Sequence, residues 1–139
     1  MDEEQFRAYV RAYNEGDIET VSSYWAEDVD VDLPGHRSSP SGKDEFLAHF
    51  EDLHSKIDEH IEIEDLFVNE DGTRLAVSFH STFTAKQDVP DFVYGPLEEG
   101  DSTTNRAFLH YTIDDDDEFE KIEVAQRDPS PSMGVEPPA

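Results

Sequence analysis

Three histidines stand where a proton could be given or taken near neutral pH: His36 just past an alternating Asp-Val stretch, His54 late in a segment of helical spacing, and His110 within a segment of strand spacing. Imidazole changes charge close to neutrality, so it suits general acid/base work beside a carbonyl. Each also has a plain structural reading. His36 has polar neighbours, Arg37, Ser38 and Ser39, and reads equally as an exposed loop residue. His54 flanks a helical core stripe. His110 alternates with Leu109 and Tyr111 and would then face outward, towards His80, as part of a dimer interface. No compact His/carboxylate motif points to a metal. Asp32 ends the run Asp28-Val29-Asp30-Val31-Asp32, whose three aspartates share one strand face, either solvated or, at its end, presented to a pocket.

Composition narrows the chemistry. With no cysteine, disulfides, thiolate metal sites and cysteine nucleophiles are excluded. A formal net charge of −25, from 35 acidic against 10 basic residues, repels phosphate backbones and anionic lipid, so neither nucleic acid nor a membrane is an expected partner. Nine Phe, five Tyr and one Trp recur at regular spacings, which supplies a core and argues against disorder. Scarce lysine and abundant aspartate fit a salt-loving host, where concentrated salt screens the surface charge. No apolar run reaches transmembrane length and no leader pattern opens the chain, so a cytoplasmic location is expected.

The elements follow from capping and period. Asp2 and Gln5 form a capping box ahead of Phe6, Tyr9, Val10 and Tyr13; Gly16 closes that helix and Asp17 opens a second through Ile18, Val21, Tyr24 and Trp25. Residues 28–33 read as a half-buried strand ended by Pro34-Gly35. Ser41 is placed to cap a third helix bearing Phe46, Phe50, Leu53 and Ile57. From residue 60 a long hairpin turns at Asn69-Glu70-Asp71-Gly72, and strands 103–113 and 119–127 flank Asp114–Glu118, an acidic run lacking the spaced ligands of a calcium loop. Segment 87–102 combines Pro90, Gly95, Pro96 and Gly100 with Phe92, Val93, Tyr94 and Leu97, a loop with apolar contacts over a pocket mouth. One domain over 1–127 is expected, of α+β class with three helices against a curved antiparallel sheet, followed by a proline-rich, unordered tail, 128–139.

The phrases YVRAYNEGDIETVSSYWAEDVDVDLPG, SGKDEFLAHFEDL and LAVSFHSTF, in this order, resemble the SnoaL-like and ketosteroid isomerase-like proteins of the nuclear transport factor 2 superfamily. The resemblance covers about residues 5–127. It implies a cone-shaped barrel around a mainly apolar pocket, a homodimer through the outer sheet face, and cofactor-free chemistry on a small hydrophobic molecule. It places Tyr9 where the family's oxyanion tyrosine lies. The family's base position, just before the strand-ending proline, is Leu33, with Asp32 one step earlier, and the second acid position falls near Leu109, beside His110. Two of three steroid-isomerase elements are therefore missing, and that activity is excluded.

An isomerase or cyclase acting on a carbonyl compound remains the leading expectation, with Tyr9, Asp32, His36, His54 and His110 as candidate acid/base and oxyanion groups. Tyr13, Trp25, Phe50, Phe79, Tyr94 and Tyr111 are the expected pocket lining, with plain core packing as the alternative for Tyr13 and Trp25. A non-catalytic ligand-binding or dimeric interaction module is the rival reading. Epoxide or ester hydrolysis ranks third and would draw on Asn105 and Arg106.

Overall fold

The computed structural model describes residues 1–33 and 39–127, with the side chains of 126 and 127 excepted. His36, the Pro34-Gly35 strand end and the tail 128–139 lie outside the described residues. The chain runs α1 (Glu3–Glu15), α2 (Ile18–Ser23), β1 (Trp25–Asp32), α3 (Lys43–Lys56), β2 (Ile57–Val68), β3 (Arg74–Ala85), β4 (Ser102–Ile113) and β5 (Phe119–Arg127). No helix is long and apolar enough to cross a membrane.

The helical entry forms for the reasons its sequence supplies. Asp2 and Gln5 close the capping box reciprocally, at 2.8 Å in each direction, and loss of such a cap costs about 1 kcal/mol. Gly16, at φ 74°, ends α1 in a left-handed conformation, and Asp17 accepts from the Thr20 amide to start α2. Tyr24 and Trp25 do not extend α2: β1 begins at Trp25, whose bulk is fully buried. Ser41 does not cap α3; Gly42 holds the N-cap position without a side-chain hydrogen bond.

The sheet order is β1-β5-β4-β3-β2. It is a curved, open sheet rather than a closed barrel, and antiparallel except that β1 joins β5 in parallel. The β2–β3 ladder is interrupted at Glu64, which has no partner between the pairs Ile63↔Phe79 and Asp65↔Ser78. This bulge switches the inward phase of β2 from odd residues (Ile57, Glu59, Ile61, Ile63) to even ones (Leu66, Val68). The main core joins Phe6, Tyr9, Val21 and Trp25 to Phe119, Tyr111 and the inner faces of β3 and β4. A second cluster of Ile57, Phe83, Ala85, Val89, Phe92 and Leu97 anchors the 86–101 loop.

Candidate active site

Between helices and sheet lies a cavity of about 500 Å³, within the size range of small-molecule sites. Its walls are mainly apolar: Val31 and Leu33 at the end of β1, Phe46 and Phe50 from α3, Phe79, Ala107 and Leu109 from the sheet, and Ile122 and Val124 from β5. Val89, Phe92 and Tyr94 of the 86–101 loop line it too, and exposed Asp52, Asp91 and Val93 mark where it meets solvent.

Inside this apolar space one acid stands out. The Glu59 side chain is only 8% exposed. Its Oε1 accepts from the Tyr13 hydroxyl at 2.7 Å and faces His54 Nε2 at 3.0 Å, while Oε2 accepts from Ser81 Oγ at 2.9 Å. The other His54 nitrogen, Nδ1, lies 2.8 Å from the Phe50 carbonyl. Local sequence explains the meeting: α3 ends at Lys56 and β2 starts at Ile57 without an intervening loop, so two residues five apart face each other across the junction. Burial and satisfied hydrogen bonding go together here, as a buried carboxylate requires.

Hydroxyl donors surround the acid. Burial, reinforced by the Glu59 charge, pushes the Tyr13 and Tyr111 hydroxyls well above their usual range and Tyr94 up to about 12; burial also raises Tyr9. These groups stay protonated at any physiological pH. Trp25 Nε1 donates to the Tyr9 oxygen at 3.2 Å, which leaves the Tyr9 proton available to an acceptor in the cavity. Among the described residues none hydrogen-bonds the Tyr111 hydroxyl.

The sequence candidates divide sharply. Tyr9, Tyr13, Phe50, Phe79, Tyr94 and Tyr111 line the cavity, and His54 reaches it through Glu59. Asp32 is exposed and does not: Asp30, Val31 and Asp32 pair in unbroken register with Lys121, Ile122 and Glu123, so Val29, Val31 and Leu33 take the inward positions. His110 lies on the outer face, 3.5 Å from Glu123, and does not meet His80, which sits across from Arg106 and pairs with Glu64. Trp25 fills the core behind Tyr9 rather than the cavity wall. Asn105 and Arg106 point to opposite faces, one buried and one ion-paired with Glu64 outside, so they do not form a hydrolytic pair. Asp114, Asp116 and Glu118 cluster in a tight turn in which the Asp114 carboxylate accepts from the Asp116 and Glu118 backbone amides.

Sequence reasoning passed over Glu59. The clue was its phase: it alternates with Ile57 and Ile61, an acid on the apolar side of a strand.

Known proteins share this architecture. A Pseudomonas putida protein named as a candidate polyketide cyclase superposes with a TM-score of 0.76 at 23% identity, covering 88% of each chain. SalBIII, an epoxide hydrolase/cyclase-like enzyme of pyran ring formation in salinomycin, gives 0.71 at 20% identity over 91% of this chain and 95% of its own. An epoxide hydrolase from M. tuberculosis gives 0.68 at 11% identity, covering 88% of this chain and 79% of its own. No curated protein matches the sequence. A family profile described as the SnoaL-like domain matches residues 6–121, nearly the whole described fold, and the chain therefore belongs to the SnoaL-like family.

Proposed function

We propose that the cavity takes a small, neutral, apolar carbonyl compound and moves a proton beside its carbonyl without a cofactor, as an isomerase or cyclase does. The observation that carries this reading is Glu59, a carboxylate held in an apolar cavity by Tyr13, Ser81 and His54. Glu59 is the base, in place of the exposed Asp32, and the Tyr9 and Tyr111 hydroxyls are the donors for the developing oxyanion.

The test is hydrogen–deuterium exchange of a bicyclic ketone, 2-tetralone, in heavy water, followed by NMR. Wild-type protein should speed exchange at the carbon beside the carbonyl, and Glu59→Gln should lose roughly 10²–10⁴-fold of that enhancement. Exchange that is unaccelerated across a panel of neutral ketones, together with tight binding of the same compounds, would replace this reading with a ligand carrier. Pairing of two copies through the outer sheet, where Phe67 is 67% and Phe108 40% exposed, accompanies the proposal and is checked by sedimentation.

A further inference from the structure

Hydrogen-bond arithmetic fixes the proton count of the Glu59–His54 pair. The Phe50 carbonyl only accepts, so Nδ1 of His54, 2.8 Å away, carries a hydrogen. Nε2 and Glu59 Oε1, 3.0 Å apart, then attract only with one further proton between them: on Nε2 beside an ionised Glu59, or on Oε1 beside a neutral ring. Tyr13 donates to the same Oε1 and Ser81 to Oε2, which engages the carboxylate as an acceptor on both oxygens and fits the first arrangement.

We infer that His54 is a positioning residue that holds Glu59 in place and balances its charge, so that the pair adds no net charge to the cavity, which selects neutral substrates over anionic ones. The inference rests on Glu59 being the base. In the step it serves, a C–H bond beside the substrate carbonyl breaks, its electron pair moves into the enolate, and the proton forms an O–H bond at Glu59. Imidazolium, carboxylate and ketone sum to zero before the step; imidazolium, carboxylic acid and enolate sum to zero after it. Return of the proton to another carbon completes an isomerisation; attack of the enolate carbon on a second carbonyl forms a C–C bond and an alkoxide that takes the proton back from Glu59, which completes a ring closure, in both cases with no oxidant or reductant. A lone carboxylate would instead place one uncompensated negative charge among apolar walls throughout, without the attraction that offsets part of the desolvation cost in the pair.

The surroundings agree with this count. Tyr9 and Tyr13 of α1, Tyr111 of β4 and Tyr94 of the loop face the pair as neutral hydroxyls. Lys86 reaches the His54 backbone carbonyl at 2.8 Å, and Lys56 pairs with Asp52 at 3.5 Å. An anionic substrate would bring unpaired charge into this interior, in a chain already at −25.

Nitrogen NMR of the full chain labelled at histidine tests the proton count without any substrate. Both His54 ring nitrogens should appear protonated in the wild type at neutral pH; in Glu59→Gln, Nε2 should move to the unprotonated range while Nδ1 stays protonated. An unprotonated Nδ1, or a spectrum indifferent to the substitution, overturns the inference. Binding of 2-naphthol and 2-naphthoate in molar salt, where the surface charge is screened, tests selection: the phenol should bind at least tenfold more tightly, and equal binding overturns the neutral interior. Should the NMR result hold while no ketone exchanges, the enzymatic reading alone fails. Should His54→Gln fold and exchange 2-tetralone at the wild-type rate while Glu59→Gln does not, Glu59 stands as base and the role of His54 is overturned.

Discussion

Two glutamates five residues apart on β2 lead opposite lives. Glu59 sits in the apolar cavity and is met by two neutral hydroxyls and one histidine. Glu64 occupies the bulge on the outer face and is met by Arg106, Ser78 and His80, with Arg106 lying 4.9 Å over the Phe108 ring. The Arg106 guanidinium, bonding to Glu64, holds its carboxyl below the usual range, yet the group lies at the solvent-facing surface, where salt screens it. Residue type is the same; strand phase decides whether the acid is buried in the cavity or set on the outer face. The contrast teaches that charge in this protein is plentiful outside and rationed inside.

The strongest way to break the comparison is to remove each acid in turn. Glu59→Gln should abolish ketone exchange by the factor given above, whereas Glu64→Gln should leave it unchanged; an equal loss from both would mean that position on the strand is not what matters. Next in size is Trp25→Ala, which removes the ring behind Tyr9. It should cost about 3–5 kcal/mol in a urea melt and, if the fold survives, weaken exchange through Tyr9.

Alkaline titration separates interior from surface without mutation. The tyrosines around Glu59 hold their protons more tightly folded than unfolded, so the native state binds more protons above the ordinary tyrosine value of 10.0 and its stability falls as pH climbs from there. The phenolate absorbance of Tyr9, Tyr13, Tyr94 and Tyr111 should therefore lag until unfolding and then rise together with it; titration of these four near 10 in a folded chain would contradict the buried cluster. Salt probes the other region. Moving from molar to low salt should lower the melting temperature by self-repulsion of the −25 surface, and an unchanged melt would remove the halophilic reading. The smallest effect belongs to Arg106→Ala, which should leave the melt within error, as exposed ion pairs do.

These contrasts also show what could be read in the sequence. Caps and periods located the helices and strands closely, because Asp2, Gly16 and the alternation of 75–85 act locally. Tyr9 is named by resemblance and His54 by its chemistry; the structure puts Tyr9 on the cavity wall and His54 against Glu59. Glu59 was hidden because the hairpin was started at residue 60, and only the direct passage from α3 into β2 brings it into the inward series. For Asp32 the Asp-Val alternation leaves two readings, solvated or presented to a pocket, and the parallel register with β5, a pairing between distant parts of the chain, goes with the solvated one. The bulge at Glu64 is likewise a property of the paired strands, visible in sequence only as a break in alternation.

That same parallel pairing bears on how the chain reaches its native state. During synthesis β1 emerges long before β5, its partner strand in the sheet, so a strand with Val29 and Val31 on one face waits for the chain that pairs with it. The segment around Pro40 to Gly42 covers one edge through the Val31 amide and Val29 carbonyl, at 3.3 and 2.7 Å. Asp28, Asp30 and Asp32, idle in the chemistry, then act as gatekeepers: three like charges on the exposed face discourage two waiting chains from zipping together before β5 arrives.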